Sequence, residues 1–144
     1  MRYITDTLDF QLEGPSAVTL GKFDGLHRGH EKLIRRMLQL AGEGLETVVF
    51  TFDVSPLVKL GNRIRRTLLT NAERAQILRR QGLDCLIECP FVPEVIHMEP
   101  EEFIRRVLVG QLRAARVIVG PDFRFGHDRK GDVQMLAGMG KQYG

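Results

Sequence analysis

Four short apolar, β-branched runs recur at intervals of about 30 residues, and this rhythm limits the folds open to the chain. They are Ala17-Val18-Thr19-Leu20, Thr47 to Phe52, Cys85 to Glu88, and Arg116 to Gly120. Their continuous apolar character suits strands buried on both faces of a parallel sheet. Helical patterns lie between them. Leu33, Ile34, Met37, Leu38 and Ala41 mark one helix face, stopped by Gly42 and Gly44. Thr70-Asn71-Ala72-Glu73 reads as a capping box opening a second helix that Gly82 ends. A third runs from about Pro100 through Phe103, Ile104, Val107 and Leu108, with proline in its first turn. Strand alternating with helix at this spacing predicts an α/β domain, a Rossmann-like doubly wound parallel sheet with right-handed crossovers. The stretch Asp53 to Leu69 is the least regular and reads as a functional loop.

Size and composition agree with one globular domain. At 144 residues the chain can bury roughly two thirds of its unfolded surface. No apolar run approaches the roughly 20 residues that span a bilayer. Met1 to Asp6 lacks the apolar stretch of a secretory signal, so a cytoplasmic address is expected. Cys85 and Cys89 on one strand would stand about 13 Å apart, too far for a disulfide, and read as buried thiols. The net charge of +3 is mild. Basic pairs such as Arg35-Arg36 read as solvated helix faces, and Arg63-Ile64-Arg65-Arg66 as a surface loop. No aromatic residues alternate with these charges, which argues against a nucleic-acid partner.

Ligands of doubly wound sheets bind at the carboxyl ends of the strands. Three polar or glycine-rich segments are expected there: Gly21 to His30, Asp53 to Pro56, and Gly120 to Asp132. The first is the most informative. His27 and His30 lie one turn apart at the start of a helix, where unpaired N–H groups and the dipole favour anions. Gly29 lets a phosphate approach the backbone, and Gly21 and Gly25 permit the sharp turn before it. Together they point to a nucleoside triphosphate. Two competing readings are helix-capping histidines and a zinc site completed by Asp24, His97 or His127. Phe123 and Phe125 fit either stacking on a flat apolar ring or a place in the core, and Arg129 suits a phosphate.

The segment Gly21-Lys22-Phe23-Asp24-Gly25-Leu26-His27-Arg28-Gly29-His30 resembles the Gly-x-Phe-Asp-Gly-x-His-x-Gly-His signature of bacterial FAD synthetases. These form the adenylyltransferase half of bifunctional riboflavin kinase/FMN adenylyltransferase. The likeness continues at Val49-Phe50-Thr51-Phe52-Asp53, Leu69-Thr70-Asn71-Ala72-Glu73 and Pro100-Glu101-Glu102-Phe103-Ile104. It returns at Val119-Gly120-Pro121-Asp122-Phe123-Arg124-Phe125-Gly126 and Arg129-Lys130-Gly131-Asp132. The resemblance implies a nucleotidyltransferase that moves AMP from ATP to FMN, giving FAD and pyrophosphate with Mg²⁺ assisting and no covalent enzyme intermediate. It assigns His27 and His30 to the ATP phosphates, and Gly21, Phe23, Asp24, Gly25 and Gly29 to the nucleotide turn. Pro56, Asp122, Phe123, Phe125 and Arg129 fall on the flavin side. No residue is assigned to a metal, and the resemblance implies a riboflavin kinase domain in cis in the full-length protein.

Three departures stand out. Asp53-Val54-Ser55-Pro56 lacks the proline and histidine that usually follow the aspartate, and Pro121 removes a donor N–H. The family's Ser-Ser-Thr-x-x-Arg signature is missing, since Ser16 and Ser55 are the only serines. Residues 1–144 therefore read as a C-terminally incomplete adenylyltransferase domain. The rival readings are another His-x-Gly-His enzyme (cytidylyl or phosphopantetheine adenylyl transfer) and a non-catalytic nucleotide- or flavin-binding module.

Overall fold

Among the described residues, five strands form one all-parallel sheet in the order β1-β4-β3-β2-β5. The computed structural model describes residues 1–5, 7–21, 28–53, 71–120 and 123–143. The strands are β1 (Arg2–Thr5), β2 (Ser16–Leu20), β3 (Glu46–Asp53), β4 (Cys85–Pro90) and β5 (Ala114–Ile118). Helix α1 (Arg28–Leu40) joins β2 to β3, and α2 (Asn71–Arg80) precedes β4. Between β4 and β5 come α3 (Pro93–Ile96) and α4 (Pro100–Phe103), the latter winding on into a π-helical stretch, Ile104–Gln111. Helix α5 (Val133–Tyr143) follows β5. The expected loop over Asp53 to Leu69, the Arg63 cluster and Thr70 of the capping box lie outside the described residues, Asp53 apart.

Alternation along the strands explains the two-sided core. Val18 and Leu20, Val48 and Phe50, and Cys85, Ile87 and Cys89 face Phe103, Ile104, Val107 and Leu108 on one side. Ala17, Val49 and Leu86 face Ile34, Met37 and Leu40 of α1 and Leu78 of α2 on the other. Each strand residue points to the face opposite its neighbour, so runs apolar at every position require helices on both faces.

The structure adds elements and moves one. β1 carries no sustained apolar run and sits at the sheet edge, paired only with β4. α5 contains Gly138 and Gly140, poor helix formers that weaken its sequence signal. β5 begins at Ala114, ahead of the apolar run at Arg116, because it registers with Ser16 at the start of β2. Arg113, at φ 50°, turns the chain out of the preceding helix. The Ser16 hydroxyl fixes that junction by donating to the Leu112 carbonyl at 2.6 Å.

Cys85 and Cys89 are both buried free thiols on β4. Burial pushes Cys85 up to about 11 and Cys89 up to about 12, from an ordinary value of 9.0. The unfolded chain loses these protons first, so the neutral thiols stabilise the fold fully below pH 9. That stability is lost as pH rises through about 11 and 12. Thiol reagents at pH 8 should leave both residues unmodified until denaturant unfolds the chain, as a mass-spectrometric alkylation time course would show.

Candidate active site

The strand order creates a switch point between β2 and β5. From β2 the chain crosses to β3 on one side, whereas β5 lies on the other side of β2. Connections that part in opposite directions leave a crevice at the carboxyl ends of the two strands. Gly21 ends β2 and extends its ladder by donating its N–H to the Phe50 carbonyl at 3.3 Å. α1 then opens at Arg28, with Gly29 and His30 in its first turn. As the helix of a βαβ crossover from β2 to β3, α1 opens on the carboxyl-end side of the sheet, the side of the crevice. Phe23, Asp24, Gly25 and His27 lie outside the described residues, as do Pro56 and Asp122.

The opposite wall is the segment after β5. Phe123 donates its N–H to the Gly120 carbonyl at 3.2 Å. Phe125 and Gly131 then exchange both backbone hydrogen bonds, at 3.2 and 2.8 Å, and cinch the intervening residues into a tight loop. A Cβ on Gly131 would sit 2.7 Å from two carbons of the Phe125 ring, so only glycine fits. Gly126, at φ 79°, packs on Pro100, where a Cβ would meet Cγ at 2.6 Å. Asp128 and Arg129 adopt left-handed backbone angles of 55° and 57°. For non-glycine residues such angles cost on the order of 1 kcal/mol each. The loop is thus shaped by contacts with α4, and Arg129 stands exposed upon it.

Phe125 is 4% exposed and packs on Phe103, with ring centroids 5.7 Å apart. Phe123 stacks on Phe125 at 5.8 Å with planes only 11° apart, and is itself partly exposed. The two phenylalanines divide the readings left open by the sequence: Phe125 is core, and Phe123 is the outer ring of the stack. Asp132 caps α5, accepting the Met135 N–H on Oδ1 at 2.9 Å, and lies 3.9 Å from Arg124. The roles of Gly126, Gly131 and Pro100 as packing partners were hidden in the sequence, because Pro100 is remote from the loop it supports.

His97 and His127 meet edge to face at 5.3 Å, and His127 Nδ1 lies 3.4 Å from Glu99. Asp24, the other residue of the zinc reading, is outside the described residues. No group of three or more His, Cys, Asp or Glu among the described residues is placed to hold a metal.

The sheet and its flanking helices define a doubly wound, Rossmann-like α/β domain. The chain belongs to the FAD synthetase family, whose pattern it matches over residues 9–144. Its relatives include the bifunctional riboflavin kinase/FMN adenylyltransferase of Buchnera aphidicola, 30% identical over 92% of this chain and 43% of that protein. The FAD synthetase of Listeria monocytogenes is 33% identical over 89% of this chain and 52% of that protein. A putative bifunctional enzyme of Geobacillus thermodenitrificans is 35% identical, over 84% and 66% respectively. This chain thus spans between about two fifths and two thirds of their lengths. A solved structure described as a macrolide-efflux protein from Streptococcus pneumoniae superposes with a TM-score of 0.80 at 28% identity. It covers 96% of this chain and 47% of the other, and among the described residues no helix is long and apolar enough to cross a membrane.

Proposed function

We propose that this chain carries the FMN adenylyltransferase step of FAD formation. The observation that carries the reading is the Gly-x-Phe-Asp-Gly-x-His-x-Gly-His segment lodged between β2 and α1, at the switch point of a FAD synthetase family fold. ATP binds with its triphosphate at the opening turn of α1, held by His27, His30 and the amides around Gly29. Gly21, Phe23, Asp24 and Gly25 shape the turn. FMN lies against the opposite wall, its ring beside Phe123 with Phe125 behind, its phosphate within reach of Arg129. Pro56 and Asp122 belong to the same flavin side.

In the reaction an FMN phosphate oxygen attacks the α-phosphorus of ATP. The new P–O bond forms as the bond to the β-phosphate oxygen breaks, and pyrophosphate leaves with the electron pair. No residue needs to become covalently attached. The chain contributes alignment of the two phosphates and donors aimed at charge growing on the leaving group. The triphosphate oxygens, hard ligands of the kind Mg²⁺ prefers, would hold that ion, which would offset negative charge on the phosphates. In the whole protein a riboflavin kinase domain in cis would supply the FMN, and a cytoplasmic location belongs to the same proposal.

The test is product analysis. Incubation with ATP, FMN and Mg²⁺ should yield FAD and pyrophosphate in equal amounts, resolved by chromatography. Cytidylyl transfer from CTP to another acceptor, or adenylyl transfer from ATP to phosphopantetheine, with none to FMN, would replace this reading by another nucleotidyltransferase. Nucleotide binding without pyrophosphate release would instead make the chain a binding module.

A further inference from the structure

The linker that joins α3 to α4 grips the loop after β5. His127 donates its N–H to the Met98 carbonyl at 2.9 Å, and Gly126 packs on Pro100. Glu99 stands between those two anchors. Its Oε1 lies 3.4 Å from His127 Nδ1 and 3.5 Å from Lys130 Nζ, so one carboxylate oxygen meets both ends of the stretch 127–130. His127 Nε2 is 3.7 Å from Asp128, and the His97 ring, at the end of α3, meets the same imidazole edge to face.

Inside that stretch lie Asp128 and Arg129, both at left-handed backbone angles. Two such residues in succession persist only where the surroundings over-determine the conformation. Arg129 donates its N–H to the Gly126 carbonyl at 3.0 Å and Lys130 donates to the His127 carbonyl at 3.2 Å, but these bonds are internal to the loop. Restraint from outside it comes from Met98, Glu99 and Pro100. Among the described residues, His127, Asp128 and Lys130 each have a charged or imidazole neighbour, whereas the exposed Arg129 guanidinium has none. A guanidinium on a fixed backbone with no carboxylate partner is free to receive a phosphate in its fork.

We propose that Glu99 is a positioning residue, which holds the 127–130 stretch at both ends so that Arg129 is presented to the FMN phosphate. The inference rests on the flavin-side placement of Arg129 proposed above, and adds a residue that acts without touching the ligand. Glu99 and Lys130 are half-exposed, and this sets the size of the effect. Exposed pairs contribute little to global stability, and cutting them loses no more than they contributed.

The experiment is flavin fluorescence quenching by the 144-residue chain, in the parent, Glu99→Ala, Arg129→Ala and the double variant. FMN and riboflavin are compared, because riboflavin carries the same ring without the phosphate. Glu99→Ala should weaken FMN binding about three- to fivefold, with riboflavin affinity, ATP affinity and unfolding temperature as in the parent. Arg129→Ala should weaken FMN binding about tenfold, and adding Glu99→Ala to it should cost nothing further. Unchanged FMN affinity in Glu99→Ala overturns the proposal, as does equal loss for FMN and riboflavin, and so do additive losses in the double variant. Full FMN affinity in Arg129→Ala would refute the placement of Arg129 and the proposal with it, as would a parent that binds no FMN. A parent that binds FMN but forms no FAD would defeat the adenylyltransferase reading and leave the role of Glu99 standing.

Discussion

Replacing His27 and His30 together with asparagine is expected to cut FAD formation by about 10²–10³-fold or more, with little change in thermal stability. The size follows from where charge develops. As the bond to the β-phosphate breaks, negative charge gathers on the leaving pyrophosphate at the helix opening. Loss of one preorganised donor at such a site costs about 2.7–4 kcal/mol of transition-state stabilisation. The helix dipole and backbone amides remain in the double variant, and they contribute only about 0.3–2 kcal/mol. ATP affinity should therefore fall less than the rate. Steady-state assays with saturating FMN separate these effects, since a donor used mainly in the transition state lowers kcat more than it raises KM. Equal rates in the parent and the variant would make the histidines structural caps.

The second large effect belongs to the loop after β5. Gly126→Ala places a Cβ 2.6 Å from Pro100 Cγ at a backbone angle of φ 79°, combining a clash with a strained conformation. Overpacking and left-handed strain together should destabilise the chain by about 2–5 kcal/mol, lowering Tm by on the order of 10 °C. Gly131→Ala drives a methyl into the Phe125 ring, with three ring carbons inside 3.0 Å. Phe125 cannot retreat, because Phe103 stands behind it in the core. The displacement passes to Phe123, which stacks on Phe125. Gly131→Ala is thus expected to weaken FMN binding about tenfold or more while ATP affinity stays near that of the parent, measurable by flavin fluorescence quenching. Equal loss for both ligands would indicate general unfolding instead.

The central strands and α1 were legible because each obeys a single simple pattern. β2, β3 and β4 are buried on both faces and therefore read as runs dominated by apolar and β-branched residues. α1 packs Ile34, Met37 and Leu40 on one face and leaves Arg35 and Arg36 exposed, which gives the helical period its clarity. β1 was not legible, since an edge strand of four residues owes its place to pairing with β4. The start of β5 was set by a contact over 96 positions, from Ser16 to Leu112, which no local window contains. At the site, the strand order sets which strand ends adjoin, and it places those of β2 and β5 side by side. The division of labour between Phe123 and Phe125 needed coordinates, because alternation says that two rings share a face and not which lies deeper.

The most direct measurement is a crystal structure of the chain with a non-hydrolysable ATP analogue, FMN and Mg²⁺. The triphosphate should lie at the first turn of α1 within hydrogen-bond distance of its amides and of His30, with the flavin ring against Phe123. A nucleotide bound away from the gap between β2 and β5, with the opening of α1 turned from its phosphates, would contradict the account.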